Sequence, residues 1–187
     1  IDNKYHNRKI SEFFDNDLFK IDYRNTTEDK KILEKTKHYP ILGSLAIVKA
    51  GVKLYEKGKG TPQQTENILL ARPYTKQNES PEGWKILYRG EHVKRYHFEK
   101  TTEVVNYGPW LAAPRTVDLF ASPKILMRRT SDKILSSLDD SSSICVNSCH
   151  VIKFIDTEQK LSYKYLLALL NSRLIQKIFE IHNPQMV

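Results

Sequence analysis

The chain has 187 residues, a mass of 21.8 kDa, 40% hydrophobic residues, a mean hydropathy of −0.54, a formal net charge of +8 and a pI near 9.3. No window approaches the roughly 18 consecutive apolar residues of a membrane span, and the opening IDNKYHNRKI lacks the apolar core of a signal peptide. These features exclude a membrane-embedded protein and fit a soluble, cytoplasmic one, with one domain and at most a helical appendage.

In chain order, residues 1–19 are polar and aromatic without a clean period and are read as a short helix and loop. Thr26 or Thr27, followed by Glu28 and Asp29, is an N-cap with acidic first-turn residues, opening a helix that runs to about His38. Ile32, Leu33 and Thr36 form its narrow apolar stripe, and Pro40 stops it. Residues 1–40 are therefore expected to be a helical connector. Because its only methionines are Met127 and Met186, the chain is read as part of a longer polypeptide.

From Ile41 to Tyr55 the run is β-branched and apolar, interrupted by Gly43 and Gly51, which predicts a strand, a bend or bulge, and a second strand. Gly58, Gly60 and Pro62 mark a lysine-rich loop, Leu69 to Thr75 reads as a brief extended piece, and Asn78 to Gly83 as a turn-rich loop. Trp84 to Tyr88 is a strand, Gly90 to Tyr96 a tight connection or short helix, and Val104 to Trp110 another extended stretch.

Pro123 to Thr130 (PKILMRRT) is the stretch with the sharpest pattern. Alternation puts Ile125, Met127 and Arg129 on one face, and Lys124, Leu126, Arg128 and Thr130 on the other. Each face is apolar at one end and cationic at the other, so the strand should pass from core to ligand surface. Ser131 to Lys133 turns it into a hairpin with Ile134 to Leu138, and Ile144 to Ile155 continues the sheet. Leu161 to His182 reads as one helix, capped by Ser162 and ended by Asn183-Pro184, with Tyr165, Leu166, Leu169, Leu170, Leu174, Ile178 and Ile181 at helical spacing. The fold class expected is α+β: a mixed, mostly antiparallel β-sheet core with flanking helices and a long C-terminal helix.

Charge placement is more informative than its sum. Lys49 to Gly60, Lys85 to Lys100 and Lys124 to Lys133 each carry a net +3, leaving the rest of the chain close to neutral. A basic excess confined to three foldable segments is the pattern of a polyanion-binding face, although a lysine-rich solvated surface would also produce it. Cationic and aromatic residues interleave in the first two windows: Lys53, Tyr55, Lys57 and Lys59, then Trp84, Lys85, Tyr88, Arg89, His92, Lys94, Arg95, Tyr96 and His97. Lys and Arg suit phosphates, and Arg can pair with guanine in bidentate fashion. Trp84, Tyr88 and Trp110 are better read as core.

Enzymatic motifs are missing: there is no GxxxxGK[ST], GxGxxG, HExxH or GxSxG. Asp139-Asp140 and Glu28-Asp29 sit where carboxylates are ordinary, and Glu56-Lys57 is a weak echo of a nuclease pattern. Cys145, Cys149 and His150 in CVNSCH are three potential ligands without a fourth nearby, so free thiols are expected rather than a zinc site.

The ordered landmarks Leu42-Gly43, Gly51-Val52 and Gly60-Thr61-Pro62, then ILYRGEHVKRY from Ile86 to Tyr96, Pro114-Arg115, Leu119-Phe120, Pro123 to Thr130, and YLLALLNS from Tyr165 to Ser172 resemble the TaqI-like C-terminal specificity domain. That resemblance, spanning about Ile41 to His182, implies the target recognition domain of a type IIG restriction-modification enzyme or related adenine-N6 DNA methyltransferase. Residues 41–187 would form this domain, gripping the major groove of double-stranded DNA while a methyltransferase domain upstream in the same chain flips an adenine. It implies no catalytic residue and no cofactor in this chain, with S-adenosylmethionine and Mg2+ belonging to the full-length enzyme. The family's Asn-Pro-Pro-Tyr/Phe methylation motif is missing, since Asn183-Pro184 runs into Gln185. Gly51, Arg89, Gly90, Tyr96, Pro123, Lys124, Arg128 and Asn171 are the recurrent positions, and their role is expected to be chiefly architectural.

The DNA-binding candidates are Lys53, Lys57, Lys59, Arg72, Lys76, Arg89, Lys94, Arg95, Tyr96, Arg128, Arg129, Asn147, Ser148 and His150. The loops Lys57 to Lys59, Arg72 to Lys76 and Asn147 to His150 are the places expected to reach base edges. The competing readings are a type I-like specificity module that scaffolds protein subunits through the Leu161 helix, and a nuclease domain.

Overall fold

The computed structural model describes residues 26–155 and 161–183. The helix and loop expected within residues 1–19 lie outside them. Two compact units are present, Ile41–Gln176 and a smaller one made of Ile1–Pro40 with Lys177–Val187.

In the smaller unit, helix α1 (Thr27–Thr36) starts at a capping box: the Thr26 hydroxyl accepts from the Asp29 backbone, and the Asp29 carboxylate accepts from the Thr26 backbone. Asp29 is buried and also receives Lys177 Nζ at 2.9 Å.

The larger unit is an α+β fold with two four-stranded sheets. Its strands are β1 (Ala46–Ala50), β2 (Thr75–Gln77), β3 (Lys85–Tyr88), β4 (Glu103–Val105), β5 (Lys124–Arg128), β6 (Ser136–Asp139), β7 (Ile144–Cys145) and β8 (Cys149–Phe154). The first sheet, ordered β1-β8-β5-β6, is antiparallel throughout. The second, β2-β4-β3-β7, is antiparallel except where β7 joins β3 in parallel.

Strand β5 lies inside the first sheet and separates two cores. Ile125 packs with Ile152, Phe154, Leu166, Leu167 and Leu170 against helix α4 (Tyr163–Leu170), whereas Leu126 packs with Val151, Leu87, Val105 and Ile144 toward the second sheet. The period-2 alternation read in the sequence is thus what lets one strand serve both layers. Burying a side chain such as Leu126 stabilises the fold by about 1.5–3 kcal/mol.

Lys124, on the Leu126 face, is fully buried, with its Nζ 2.6 Å from Asp139 Oδ2 and donating to the Ser141 carbonyl at 2.8 Å. Burial pushes the Asp139 carboxyl up, but hydrogen bonds from Lys124, Ser141 and Ser143, with the Lys124 charge, outweigh it and hold the group below its ordinary range. The β5 face carrying Lys124 is therefore closed by a buried ion pair at its start, and only its Arg128 end leaves the core.

Four expectations are corrected. Leu42–Leu45 is a single helical turn, α2, rather than strand. The piece expected to be extended from Leu69 begins inside helix α3 (Glu66–Ala71), whose six residues are too few to display a helical period. The run from Ile144 does not continue one sheet: β7 belongs to the second and β8 to the first. Finally, the C-terminal helix is broken into α4 and α5 (Arg173–His182). At the break, the buried Asn171 carboxamide bonds the backbone of Ser136, and Ser172 Oγ accepts from the Ile175 backbone, restarting the helix.

Candidate nucleic-acid interface

Gly51 is the crossing point between the two sheets. Its N–H reaches Cys149 O at 3.0 Å, and Val52 N–H reaches Cys145 O at 2.8 Å. A Cβ here would lie 2.2 Å from the Cys145 carbonyl oxygen, so only glycine lets the chain pass. The strand β1 then runs into Lys53, Leu54 and Tyr55 along the edge of a cleft.

Opposite that segment, β7 and β8 are joined by a tight turn in which Cys149 N–H bonds Val146 O at 2.9 Å, leaving Asn147 and Ser148 at the tip. Its backbone is held on every side: Asn147 N–H donates to Val52 O, Arg129 N–H to Ser148 O, and Arg129 Nη1 to Asn147 O. Ser148 Oγ accepts from Gly90 N–H at 2.9 Å, and a Cβ on Gly90 would meet Ser148 O at 2.7 Å. A rigid turn thus carries the Asn147 carboxamide, which has no hydrogen-bond partner of its own among the described residues.

Two recesses of about 350 Å³ each flank this turn and share Arg89 and Ser148. One is lined by Lys53, Leu54, Tyr55, Arg72, Thr75, Arg89, Glu103, Val146, Asn147 and Ser148, the other by Arg89, Gly90, Glu91, Arg128, Thr130 and Ser148. Together they make a cleft whose lining, among the described residues, holds four cations, Lys53, Arg72, Arg89 and Arg128, and two acids, Glu91 and Glu103. Cations converging on one concavity concentrate positive potential there.

The cations are not equivalent. Arg89 donates Nε and Nη2 to the two Glu103 carboxylate oxygens at 2.7 and 2.6 Å, and these bonds raise its pKa. Arg128 donates Nε to Thr130 O at 3.0 Å, and Lys53 pairs with Glu56 at 2.9 Å. Among the described residues Arg72 makes no ion pair, and its guanidinium carbon lies 6.0 Å from the Tyr55 ring centroid.

Of the residues singled out in the sequence, Lys53, Arg72, Arg89, Arg128, Asn147 and Ser148 come together in the cleft, and Arg129 braces its turn. The others do not line it. Lys57 pairs with Glu66 beside a separate shallow recess, Lys76 with Glu79, and Lys94 with Glu99. Lys59 and Arg95 are exposed loop residues, and Tyr96 is exposed with φ +70°. His150 lies within β8 with a buried Nδ1; burial, then the Arg129 charge, lower its pKa and favour the neutral ring. Glu103 and Thr130 also line the cleft and were not among the binding candidates; Tyr55 stood inside the cationic-aromatic run and Thr75 inside the Arg72 to Lys76 loop, but Glu103 carried no local signal.

Among the described residues no group of three or more His, Cys, Asp or Glu could hold a metal ion, and no helix is long and apolar enough to cross a membrane. Cys145 and Cys149 are buried free thiols.

The family model described as the TaqI-like C-terminal specificity domain matches residues 85–185, just over half of the chain. The chain belongs to that family. The match takes in most strands of this specificity domain, including β5, its hairpin partner β6, the Asn147 turn and Arg89, Arg128 and Arg129. The landmarks before Lys85 fall outside it, yet β1 pairs with β8 and β2 with β4, so that segment is built into both sheets. Lys53, Tyr55 and Arg72 reach the cleft from there. No curated protein matches the chain.

Proposed function

We propose that this chain is the DNA target recognition domain of a restriction-modification enzyme, of the type IIG or adenine-N6 methyltransferase kind, and that it performs no chemistry itself. Residues 41–187 form the recognition domain and residues 1–40 a helical connector, with a methyltransferase domain upstream in the same polypeptide. S-adenosylmethionine and Mg2+ would be bound elsewhere in that enzyme. Membership of the specificity-domain family supports the class, and the observation that carries the reading is the cationic cleft built around a rigid turn with a free carboxamide. Backbone phosphates supply affinity and base edges supply sequence preference, so a recognition surface needs both mobile cations and fixed hydrogen-bonding groups. Lys53 and Arg128 at the cleft fit the first role.

The test is binding of the full chain to mixed-sequence duplex DNA across salt concentrations. The logarithm of the affinity should fall linearly with the logarithm of salt, each phosphate contact contributing about 0.9 to the slope. Lys53→Ala and Arg128→Ala should each reduce that slope by about one contact's share. Binding that is indifferent to salt would rule the reading out.

A further inference from the structure

The geometry points to Arg72 as the residue that reads a guanine in the DNA major groove, with Tyr55 as its positioning residue; this rests on the DNA-recognition reading above. Arg72 follows the last turn of α3 with φ 47° and ψ 52°, a left-handed conformation uncommon for a residue with a Cβ. Pro73 comes next, and a residue before proline ordinarily prefers extended backbone. The conformation is held by two bonds, Arg72 N–H to Ile68 O at 2.9 Å and Thr75 N–H to Arg72 O at 3.4 Å. Instead of continuing the helix, the chain turns sharply here, and the Arg72 side chain lines the cleft.

Tyr55, the ring beneath the guanidinium, is itself immobilised. Its hydroxyl accepts from Tyr74 N–H at 2.9 Å and lies 3.3 Å from Thr75 Oγ1. Its ring stacks on Tyr74, with centroids 5.7 Å apart and planes 7° apart, and Tyr74 in turn packs against Trp110. The other arginines at the cleft have spent donors on Glu103, on Thr130 O and on Asn147 O. Arg72 has spent none of its side-chain donors among the described residues, so it is a guanidinium with a fixed platform and an unused fork.

An unused planar fork held at an aromatic face suits a ligand with two acceptors side by side; a backbone phosphate and a base edge both offer that, and only the base contact depends on sequence. Guanine offers O6 and N7 side by side in the major groove, the standard partner of an arginine fork. Arg72 also lies outside residues 85–185, the part that the family model matches.

The experiment is enrichment of binding sites from a randomised duplex library, using the full chain as wild type, Arg72→Lys and Tyr55→Leu, with circular dichroism to confirm folding. Arg72→Lys keeps the charge, so affinity for mixed-sequence DNA should stay within about twofold. It should lose preference at one G·C position of the wild-type motif, by about 5- to 150-fold. Placing 7-deazaguanine there, which lacks the N7 acceptor, should weaken wild-type binding and leave Arg72→Lys unaffected. Tyr55→Leu should weaken the same position only. A wild-type motif without guanine, or an Arg72→Lys motif identical to wild type, overturns the assignment while leaving DNA recognition standing. A wild type that enriches no sequence and binds without salt dependence overturns both.

Discussion

Arg89 and Glu103 form a two-bond pair at 2.7 and 2.6 Å that ties the end of β3 to the start of β4 at the wall of the cleft. Both partners are partly shielded, at 36% and 17% side-chain exposure, so the pair escapes much of the solvent screening that makes surface ion pairs weak. The pair withdraws one arginine from the cleft's free charge and makes it part of the wall that the other side chains are positioned against.

A double-mutant cycle with Arg89→Ala and Glu103→Ala, read by chemical denaturation, should therefore give a coupling energy of about 1–2 kcal/mol, above the range of exposed pairs. Glu103→Gln, by removing an acid that lines the Arg72 recess, should strengthen low-salt binding to mixed-sequence DNA and steepen its salt dependence.

The buried Lys124–Asp139 pair carries a pH prediction. The folded Asp139 carboxyl titrates below its ordinary value of 3.8. Its contribution to stability is therefore complete above that value and is lost as pH falls toward the folded pKa. Thermal unfolding followed from neutral pH down to about pH 2 should show this loss, and Lys124→Met should shrink the acid dependence in that window. At neutral pH the same substitution should cost about 3–5 kcal/mol, since it leaves a buried carboxylate without its cation.

Features set by neighbours in sequence were legible before the structure. The Thr26 cap, the Ser162 cap, the alternation through Ile125 and Leu126, and the hairpin turning at Ser131 all depend on residues a few positions apart. What the sequence did not reveal depends on distant partners. Ile144 and Ile152 have the same apolar character, and only the Gly51 crossing and the Asn147 turn send them to different sheets. The cleft draws Lys53, Arg72, Arg89, Arg128 and Asn147 from five separate segments, so a list of basic residues could not distinguish them from Lys57, Lys76 and Lys94, which pair locally with glutamates. Lys124 and Arg128 are both cations on one strand face, yet only Arg128 reaches the cleft.

Gly51 and Gly90 should not tolerate alanine. In both cases the added Cβ meets backbone oxygen, of Cys145 and Ser148 respectively, which cannot swing aside as a side chain would. Gly90→Ala should displace the Asn147 turn, so its DNA-binding defect should exceed that of Lys53→Ala while the loss of stability stays modest. Gly51→Ala should lower stability by more than about 2 kcal/mol in denaturant titration, because the crossing between sheets has no alternative path.

Asn171 gives the sharpest stability prediction. Strand β6 is at the edge of the first sheet, next to β5, and its buried Ser136 N–H would otherwise lack an acceptor, whereas the Ser136 carbonyl also accepts from Tyr96 N–H at 3.0 Å. The Asn171 carboxamide occupies that place: Oδ1 accepts from Ser136 N–H at 3.1 Å and Nδ2 donates to Ser136 O at 2.9 Å, as a neighbouring strand would. Helix α4 must end at Asn171 for the side chain to reach β6, which explains why an apolar stripe consistent with one long helix is interrupted there. Asn171→Leu conserves approximate volume but removes both bonds, leaving the buried Ser136 N–H unsatisfied at about 1–3 kcal/mol, while the Ser136 carbonyl keeps its bond from Tyr96 N–H. Denaturant titration should show a loss of about 1–3 kcal/mol, with Asn171→Asp intermediate because its carboxylate can still accept from Ser136 N–H but cannot donate. Equal losses for the two variants would mean that volume or helix propensity, rather than the paired hydrogen bonds, sets the requirement at this position.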